Sequence, residues 1–376
     1  MSDAAPRLST ADLEPFFDAH HQRLAADLSA APAVGGGDPR DVVRALARDL
    51  DALRWLAPDE GAALDVRALC LIREHLAYAS PVADALFAVQ GLGIYPLWRA
   101  DRGHFSDLIR RAVRGEEVMA FALTEPGAGS DAAALETRAE PDGDGYRLVG
   151  DKTLISNAPI ATHFVVFATV DPDAGKRGIT AFLVDAQSPG LEVTPTSVTV
   201  DHPIGDVGLR GVRVGAGAVV GEVGGGLALA LGGLERFRVT VGAAAAGMAR
   251  RALDETLARV RERRQFGAAL AEQPVIQAEL ADMATELDAA RLLVLRAAWD
   301  LDHNDRPPPT ASAMAKLFAT EAAQRVIDRA VQLHGGLGVT RGHVVETLYR
   351  AIRPLRIYEG TSQILRHVIG RNLVRD

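Results

Sequence analysis

Residues 357–364 read Ile-Tyr-Glu-Gly-Thr-Ser-Gln-Ile, and they place one carboxylate, Glu359, between an extended approach and the start of a helix. The apolar residues within 354–358 can withhold water from this carboxyl and raise its pKa toward the range useful to a general base. Gly360 lets another molecule approach the main chain closely, and Thr361 or the serine after it can cap the helix. These residues alone favour a simpler interpretation, an acidic residue at a helix N-terminus, where the helix dipole stabilises it.

Length and composition indicate a globular protein. The 376 residues allow two or three domains, and 48% hydrophobic with 24% charged residues is ordinary for such a chain. The longest weakly charged stretch, 223–234, is too short and too rich in glycine to cross a bilayer, and the N-terminus has no basic region followed by an apolar core. We therefore expect a cytoplasmic protein that binds no membrane. A formal net charge of −8 argues against nucleic-acid binding, which needs a surplus of lysine and arginine.

Cysteine and histidine usage gives no sign of a metal site. The single cysteine, Cys70, excludes an internal disulfide and leaves too few thiolates for a cysteine zinc site. We expect it to be a buried apolar residue. The adjacent His20 and His21 should point to different faces of a helix, which favours solvation over metal binding.

Apolar periodicity predicts three domains. Residues 1–117 follow the helical period in segments 11–30, 41–56, 66–78 and 81–90, as an all-α domain does. From 118 to 224 short apolar runs alternate with turns, at 119–123, 146–149, 164–168 and 179–184. No helical pattern separates these runs, so an antiparallel barrel or sandwich is favoured over a doubly wound parallel sheet. Residues 225–376 return to long helical segments, at 227–264, 274–301, 310–333 and after Glu359, which predicts a four-helix bundle.

Further clusters of polar residues and glycine lie at the predicted ends of strands and helices. Residues 122–131 and 150–158 expose backbone N–H groups and hydroxyls that can bond the polar edge of a planar ligand. Residues 263–267, Arg-Arg-Gln-Phe-Gly, combine positive charge with an aromatic face suited to a pyrophosphate and an adenine. Residues 332–338 add a glycine turn that can approach phosphate. Taken singly, each is equally well explained as a turn, a cap or surface charge.

The order of these clusters is more specific than any one of them. Thr-Glu-Pro-x-Ala-Gly-Ser-Asp, Lys-x-x-Ile-Ser-Asn, Arg-x-x-Phe-Gly, Gln-x-x-Gly-Gly and Tyr-Glu-Gly-Thr follow one another between Thr124 and Thr361. Over about residues 40–376 this resembles the acyl-CoA dehydrogenase family. The resemblance implies an α+β, mostly α fold with an N-terminal all-α domain, a middle antiparallel β domain and a C-terminal four-helix bundle. It also implies FAD between the last two domains and a thioester substrate against the flavin.

Position by position, the resemblance implies roles for individual residues. Glu359 matches the catalytic base. Thr124 and Ser156 match residues that bond the isoalloxazine edge, whereas Arg263 and Phe266 match pyrophosphate and adenine contacts. The residues implied to bind the cofactor are Thr124, Ser130, Ser156, Arg263, Phe266, Gln332, Gly335, Gly336, Thr361 and Gln363. Those implied to contact the substrate are Ser130, Ala88, Gly91, Leu92, Phe237, Arg238, Tyr358 and Gly360.

The sequence departs from the family pattern at several positions. Leu154 stands where many relatives place a tryptophan against the flavin, Pro274 replaces a frequent glutamine, and Ala351 replaces a frequent aspartate. In some relatives the base precedes a family arginine on the first bundle helix. That arginine is matched by Arg238, so the alternative base position is Phe237, which cannot accept a proton.

The resemblance implies α,β-dehydrogenation of an acyl-CoA or acyl-carrier-protein thioester to the trans-2-enoyl thioester, with electrons passed to a flavoprotein acceptor. It implies a homo-oligomer, either a dimer or a tetramer, because the 332–336 turn serves the cofactor of a neighbouring subunit in this family. Two alternatives stay open. One is a flavin oxidase or monooxygenase on the same fold, and the other is a non-catalytic thioester-binding protein.

Overall fold

The computed structural model describes residues 10–59, 62–100, 103–304 and 309–374. These residues form two compact units. The bundle unit comprises 10–33, 65–84 and 236–374, and the sheet unit comprises 34–59, 62–64, 85–100 and 103–235. The predicted division into domains 1–117, 118–224 and 225–376 stays a prediction.

Helices account for most of the regular structure. The α-helices are α1 (Ala19–Ala30), α2 (Pro39–Arg48), α3 (Val66–Ala79), α4 (Pro81–Ala100), α5 (Ser106–Val113), α6 (Gly226–Glu262), α7 (Pro274–His303), α8 (Pro309–His334), α9 (Val344–Leu355) and α10 (Ser362–Leu373). In the bundle unit, α3, α6, α7 and α8 share a core of small and branched residues that includes Cys70, Val239, Val294 and Ala319. Cys70 is buried there, as predicted. No helix in the described part of the chain is both long and apolar enough to span a membrane.

Two of the predicted N-terminal helices are wrong in their extent. The segment 11–30 is a 3-10 helix, Ala11–Phe16, followed by α1, because Pro15 removes a backbone donor and Asp18 starts a new helix. The segment 41–56 is also divided, because Asp51 has φ of 48° between α2 and the 3-10 helix Leu53–Leu56. The helices at 66–78 and 81–90 are confirmed, the second extending to Ala100.

The expectation that both adjacent histidines are solvated is wrong for His21, which is fully buried. His20 Nε2 and His21 Nε2 lie 2.8 and 3.0 Å from the two carboxylate oxygens of Asp65. Asp65 also caps α3 by accepting from the Ala68 backbone N–H. Asp18, His20 and His21 are close enough to offer a metal three ligand atoms. The hydrogen bonds of His20 and His21 to Asp65 already explain why the two imidazole rings lie together, since these bonds fasten α1 to the start of α3.

The sheet unit contains the predicted strands in one eight-stranded sheet. The strands are β1 (Met119–Ala122), β2 (Arg138–Asp142), β3 (Gly145–Ser156), β4 (His163–Thr169), β5 (Ile179–Asp185), β6 (Leu191–Pro195), β7 (Ile204–Val214) and β8 (Val219–Val220). Their order is β6-β7-β3-β2-β4-β5-β8, with β1 paired to β4. Most neighbours are antiparallel, as predicted, but β1 and β2 each pair with β4 in parallel. The buried side of the sheet packs around Phe164, Phe182, Leu148 and Leu209.

Candidate active site

The turn that carries Glu359 has an unusual backbone. It joins α9, which ends at Leu355, to α10, which starts at Ser362. Glu359 has φ of 52° and Gly360 has φ of 100°. The left-handed region costs a non-glycine residue about 1–2 kcal/mol, so neighbouring contacts must hold Glu359 in place. At Gly360 a Cβ atom would also crowd Leu365 Cδ2 at 3.2 Å, so glycine suits the position.

Two cationic side chains hold the main chain of this turn. Arg238 Nε donates to the Glu359 carbonyl oxygen at 3.0 Å, and Lys316 Nζ donates to the Gly360 carbonyl oxygen at 2.6 Å. Arg238 lies on α6 and Lys316 on α8, so the turn is fastened to two bundle helices. Burial lowers the pKa of Lys316 to about 8, against the opposing charge of Glu359.

The helix after the turn is capped by Thr361, whose Oγ1 accepts from the Ile364 backbone N–H at 3.2 Å. Ser362 instead donates to Glu321, a carboxylate that also pairs with Arg356 at 2.8 Å. Thr361 is therefore the cap, and the serine ties the start of α10 to α8. Glu359 itself lies before the cap, so helix capping does not account for its carboxyl group.

The carboxyl group of Glu359 has a buried oxygen without a hydrogen-bond donor. Its Oε2 is inaccessible to water, and no described residue bonds to it. Burial raises the pKa of Glu359, whereas the charges of Arg73, Lys316 and Arg238 lower it, and the net effect on the pKa is upward. Buried polar atoms are almost always paired in native proteins, so an unpaired carboxylate oxygen among cations is typical of a group with a functional role.

The alternative base position is occupied by Phe237, which is fully buried on α6. Its carbonyl oxygen accepts from the Thr240 hydroxyl at 2.7 Å. The phenyl ring has no group that takes up a proton. Of Glu359 and Phe237, only Glu359 can serve as a base.

Three charged residues of this site were not predicted from the sequence. Arg73, Asp84 and Lys316 are all buried, and the charge of each affects the pKa of Glu359. A signal was present, because Arg73 interrupts the apolar run Leu-Cys-Leu-Ile on α3 and Lys316 interrupts an alanine-rich stretch of α8. A charged residue on the buried stripe of a helix predicts a buried partner.

In the sheet unit, the loop after β1 is held by a buried ion pair. Lys152 Nζ lies 2.6 Å from Glu125 Oε1 and also donates to the carbonyl oxygens of Leu123 and Phe167. The Glu125 carboxylate accepts further from the backbone N–H groups of 136 and 137. Thr124 lies between two of these anchored residues. Burial lowers the pKa of Lys152 to about 8, although Glu125 opposes this effect.

The two loops with predicted flavin contacts meet within this unit. The Thr124 carbonyl oxygen accepts from the Thr153 N–H at 3.0 Å, so the loop after β1 lies against β3, whose last residue is Ser156. Leu154, the position of the frequent family tryptophan, has φ of 54° at a register shift of β3 and is exposed. The chain thus presents an exposed aliphatic side chain at an irregularity of β3, one residue after the contact with Thr124 and two residues before Ser156.

The predicted substrate residues Ala88, Gly91 and Leu92 lie on α4. Ala88 and Gly91 are buried and Leu92 is half-buried. Between them, Gln90 donates to the carbonyl oxygen of Glu117 at 2.7 Å and accepts from the Met119 N–H at 2.9 Å. Gln90 therefore fastens α4 to the start of β1.

The remaining predicted cofactor residues divide between the two units. Thr124, Ser130 and Ser156 belong to the sheet unit, whereas the others belong to the bundle unit. In the bundle unit Arg263, Phe266, Gln332, Gly335, Gly336 and Gln363 are all exposed. Phe266 is the clearest case, because its ring is fully exposed and its φ is 51°. An exposed aromatic ring three residues after an exposed arginine fits a ligand with an adenine and a pyrophosphate.

Comparison with known proteins gives the class of the protein. Residues 120–212 match the family sequence model described as "Acyl-CoA dehydrogenase, middle domain", and residues 224–374 match "Acyl-CoA dehydrogenase, C-terminal domain". The protein is thus an oxidoreductase of the kind that acts on acyl-CoA. The chain belongs to the acyl-CoA dehydrogenase family, which confirms the predicted fold.

Several relatives resemble the chain along nearly its whole length. The 3-(aryl)acrylate reductase of Clostridium sporogenes is 37% identical over 90% of this chain and 91% of its own. The cyclohexane-1-carbonyl-CoA dehydrogenase of Geobacter metallireducens is 34% identical over 96% of each chain. The solved structure of the prolyl acyl carrier protein oxidase AnaB superposes with a TM-score of 0.87 at 27% identity, covering 95% of this chain and 99% of that chain.

Proposed function

We propose that the protein catalyses α,β-dehydrogenation of an acyl-CoA or acyl-carrier-protein thioester to the trans-2-enoyl thioester, with Glu359 as the base. One observation carries this proposal: a carboxylate oxygen of Glu359 is buried and unpaired, and the backbone of this residue is held in a strained conformation by Arg238 and Lys316. Strain maintained by surrounding contacts is typical of functional sites.

The residues of the turn have separate tasks in this reaction. Glu359 takes the α-proton, for which its raised pKa is suited, because a carboxylate kept from water is a stronger base. The Glu359 backbone N–H is proposed to hold the thioester oxygen, where negative charge grows toward the transition state. FAD, when bound, supplies the acceptor for the β-hydrogen as hydride. Arg238 and Lys316 fix the turn so that the carboxylate and the N–H keep their relative positions.

We propose FAD as the cofactor, held in part by Arg263 and Phe266. Replacing Arg263 by alanine is expected to weaken FAD binding by about 10- to 100-fold, because a charge-assisted hydrogen bond to phosphate is lost. FMN lacks the pyrophosphate and adenine, so its affinity should hardly change. Equilibrium binding of both flavins to the apoprotein measures this, with Arg264→Ala as the matched control. Tight binding of FMN but not FAD would refute the pyrophosphate assignment.

The proposed partners are an electron acceptor and further copies of this chain. We propose a flavoprotein electron acceptor and a homo-oligomer, a dimer or tetramer, in which the turn of Gln332, Gly335 and Gly336 serves a neighbouring subunit. In support, these residues are exposed together with the apolar Leu337 and Val339. An exposed apolar group of this kind is typical of an interface.

The names of the relatives guide the choice of substrates. One relative is named an aryl acrylate reductase and another a cyclohexane-carbonyl-CoA dehydrogenase, so both names specify a cyclic group. Glu359 can serve in both directions, because the group that removes the α-proton during dehydrogenation returns a proton to the same carbon during reduction. Cyclic and aromatic acyl thioesters therefore belong in the substrate set beside straight-chain ones.

An oxidase is the second candidate, supported by the similarity to an acyl carrier protein oxidase and by Leu154 at the usual tryptophan position. A non-catalytic thioester-binding protein is the third.

An anaerobic screen of acyl thioesters against the FAD-loaded protein distinguishes these candidates. In a dehydrogenase, the substrate bleaches the flavin. The flavin then stays bleached when air is admitted, until an electron acceptor is added. Rapid reoxidation by air with formation of hydrogen peroxide indicates the oxidase. Binding of thioesters without bleaching, across straight-chain and cyclic groups, would contradict the proposed function and indicate a binding protein.

A further inference from the structure

One carboxylate on α8 bonds to both ends of the turn that carries Glu359. Glu321 Oε1 accepts from Arg356 Nε at 3.0 Å, and Glu321 Oε2 accepts from Arg356 Nη2 at 2.8 Å. Glu321 Oε1 also accepts from the Ser362 hydroxyl. Arg356 follows the last residue of α9 and Ser362 is the first residue of α10, so the two partners of Glu321 flank the turn. We call these three residues the Glu321 clamp.

The two ends of the turn are also bonded to each other. The Ser362 backbone N–H donates to the Arg356 carbonyl oxygen at 3.2 Å. Residues 357–361 lie between these ends, and Glu359 among them has φ of 52°. A non-glycine residue keeps such a backbone conformation only where surrounding contacts impose it. Fixing both ends of so short a segment restricts the conformations it can adopt, so the clamp helps to impose this one.

The position of the Glu359 carboxylate depends on the backbone of the turn. No described residue donates to its Oε2, so no hydrogen bond at this oxygen holds the carboxylate. The main chain is held instead, by Arg238 at the Glu359 carbonyl oxygen and by Lys316 at that of Gly360. A reacting group misplaced by about 1 Å can cost about 10²-fold in rate. Contacts that fix the backbone therefore bear on the reaction.

Stability alone explains the clamp poorly. Glu321 and Arg356 are both half-buried, and ion pairs that remain in contact with water contribute little. A bidentate arginine–carboxylate pair is instead suited to fixing geometry, because two parallel hydrogen bonds set the relative orientation of the groups. The buried hydroxyl of Ser362 brings the second end of the turn to the same carboxylate. The arrangement therefore fixes a shape more than it adds stability.

We propose that Glu321 is a positioning residue for the base. By bonding Arg356 and Ser362 it fixes both ends of the turn, which keeps the Glu359 carboxylate where it can reach the α-proton. This inference rests on the proposed function of Glu359. Glu321 does not touch the reacting atoms in this assignment. Its loss should therefore loosen the turn and slow the chemical step, while the affinity for thioester hardly changes.

Glu321→Ala is expected to slow flavin reduction at saturating thioester by about 10- to 100-fold, because the turn loses its contacts at both ends. Glu321→Gln should lose less, since its amide oxygen can still accept one of these hydrogen bonds. The probe is the thioester that reduces the wild-type flavin fastest. Rapid anaerobic mixing of each FAD-loaded protein with a range of thioester concentrations separates the rate of reduction from the affinity.

Amide hydrogen exchange, followed by mass spectrometry, measures the turn itself without turnover. The amides of residues 356–362 should exchange faster in Glu321→Ala than in the wild type. Glu286→Ala is the matched control. Glu286 lies on α7, is also half-buried, and accepts from Arg325 and Arg329 of α8 at 3.0 and 3.2 Å. Neither partner belongs to the turn, so this variant should leave both the exchange at 356–362 and the rate of flavin reduction near those of the wild type.

The proposal requires both effects in Glu321→Ala, faster exchange of the turn and slower flavin reduction at unchanged affinity. Either effect alone, neither of them, or equal effects in Glu286→Ala would overturn it. If Glu321→Ala fails to fold, Ser362→Ala decides, because it removes one hydroxyl from the clamp and should show both effects in weaker form. The proposed function fails separately, if Glu359→Gln still reduces the flavin, and amide exchange then still tests whether Glu321 holds the turn.

Discussion

Replacing Glu359 by glutamine is expected to slow thioester-dependent flavin reduction by about 10²- to 10⁴-fold, because the amide cannot accept the α-proton. Glutamine keeps the shape of the side chain and the backbone N–H, so thioester and FAD should still bind. Phe237 offers no substitute base, which makes the larger end of this range the expected one. Rapid anaerobic mixing with the best substrate, followed by flavin absorbance, measures the effect.

The matched control for this variant is Glu346→Gln. Glu346 lies in the first turn of α9, at the opposite end of this helix from the turn of Glu359, and pairs with Arg350 at 2.6 Å. The same chemical change there should leave the rate of flavin reduction within about twofold, because Glu346 is not among the charges that act on Glu359 and effects at separate sites are largely independent. A loss of similar size in both variants would point to damaged folding and away from a lost base.

Replacing Lys152 by methionine is expected to destabilise the sheet unit by about 3–5 kcal/mol, because Glu125 would be left as a buried, uncompensated charge. The two side chains are almost completely buried and 2.6 Å apart. The loop that contains Thr124 depends on this pair for its position. The protein should therefore also retain less FAD after purification. Urea unfolding followed by circular dichroism, together with flavin content, measures both effects.

An exposed ion pair next to Lys152 provides the control. Asp151 pairs with Arg210 at 2.6 Å, but both side chains are about half exposed. Arg210→Ala should change stability by less than about 1 kcal/mol, since an exposed ion pair is screened by water. If Lys152→Met and Arg210→Ala unfold at the same urea concentration, the buried pair does not hold the sheet unit together.

The sequence predicted the parts of this protein that depend on local patterns. Strands at 119–123 and 164–168 follow from short apolar runs between turns, and the long helices follow from their period. The start of α10 and its cap at Thr361 are predictable from the sequence, but the extended approach predicted before Glu359 is wrong, because α9 runs to Leu355 and a turn follows it. Family resemblance then supplied the fold and the set of expected contacts.

Other features depend on contacts between distant segments, which no local pattern specifies. The partner of Arg73 on α3 was not predictable from its own helix, because Asp84 belongs to α4 and Thr240 to α6. The parallel pairing of β1 with β4 is likewise a property of the assembled sheet. The burial of His21 depends on Asp65, which lies more than forty residues away in sequence. For Arg73 and His21 the sequence shows a polar residue without showing its buried partner.

The claim that Glu359 removes the α-proton is tested most directly by hydrogen exchange. A 3,3-dimethylbutanoyl thioester has two α-hydrogens but no β-hydrogen, so it can lose a proton and cannot be dehydrogenated. In deuterated water the FAD-loaded wild type should introduce deuterium at the α-carbon, detected by mass spectrometry, and Glu359→Gln should do so no faster than buffer. Equal incorporation by both proteins would show that another group takes the proton and would contradict the assignment of Glu359.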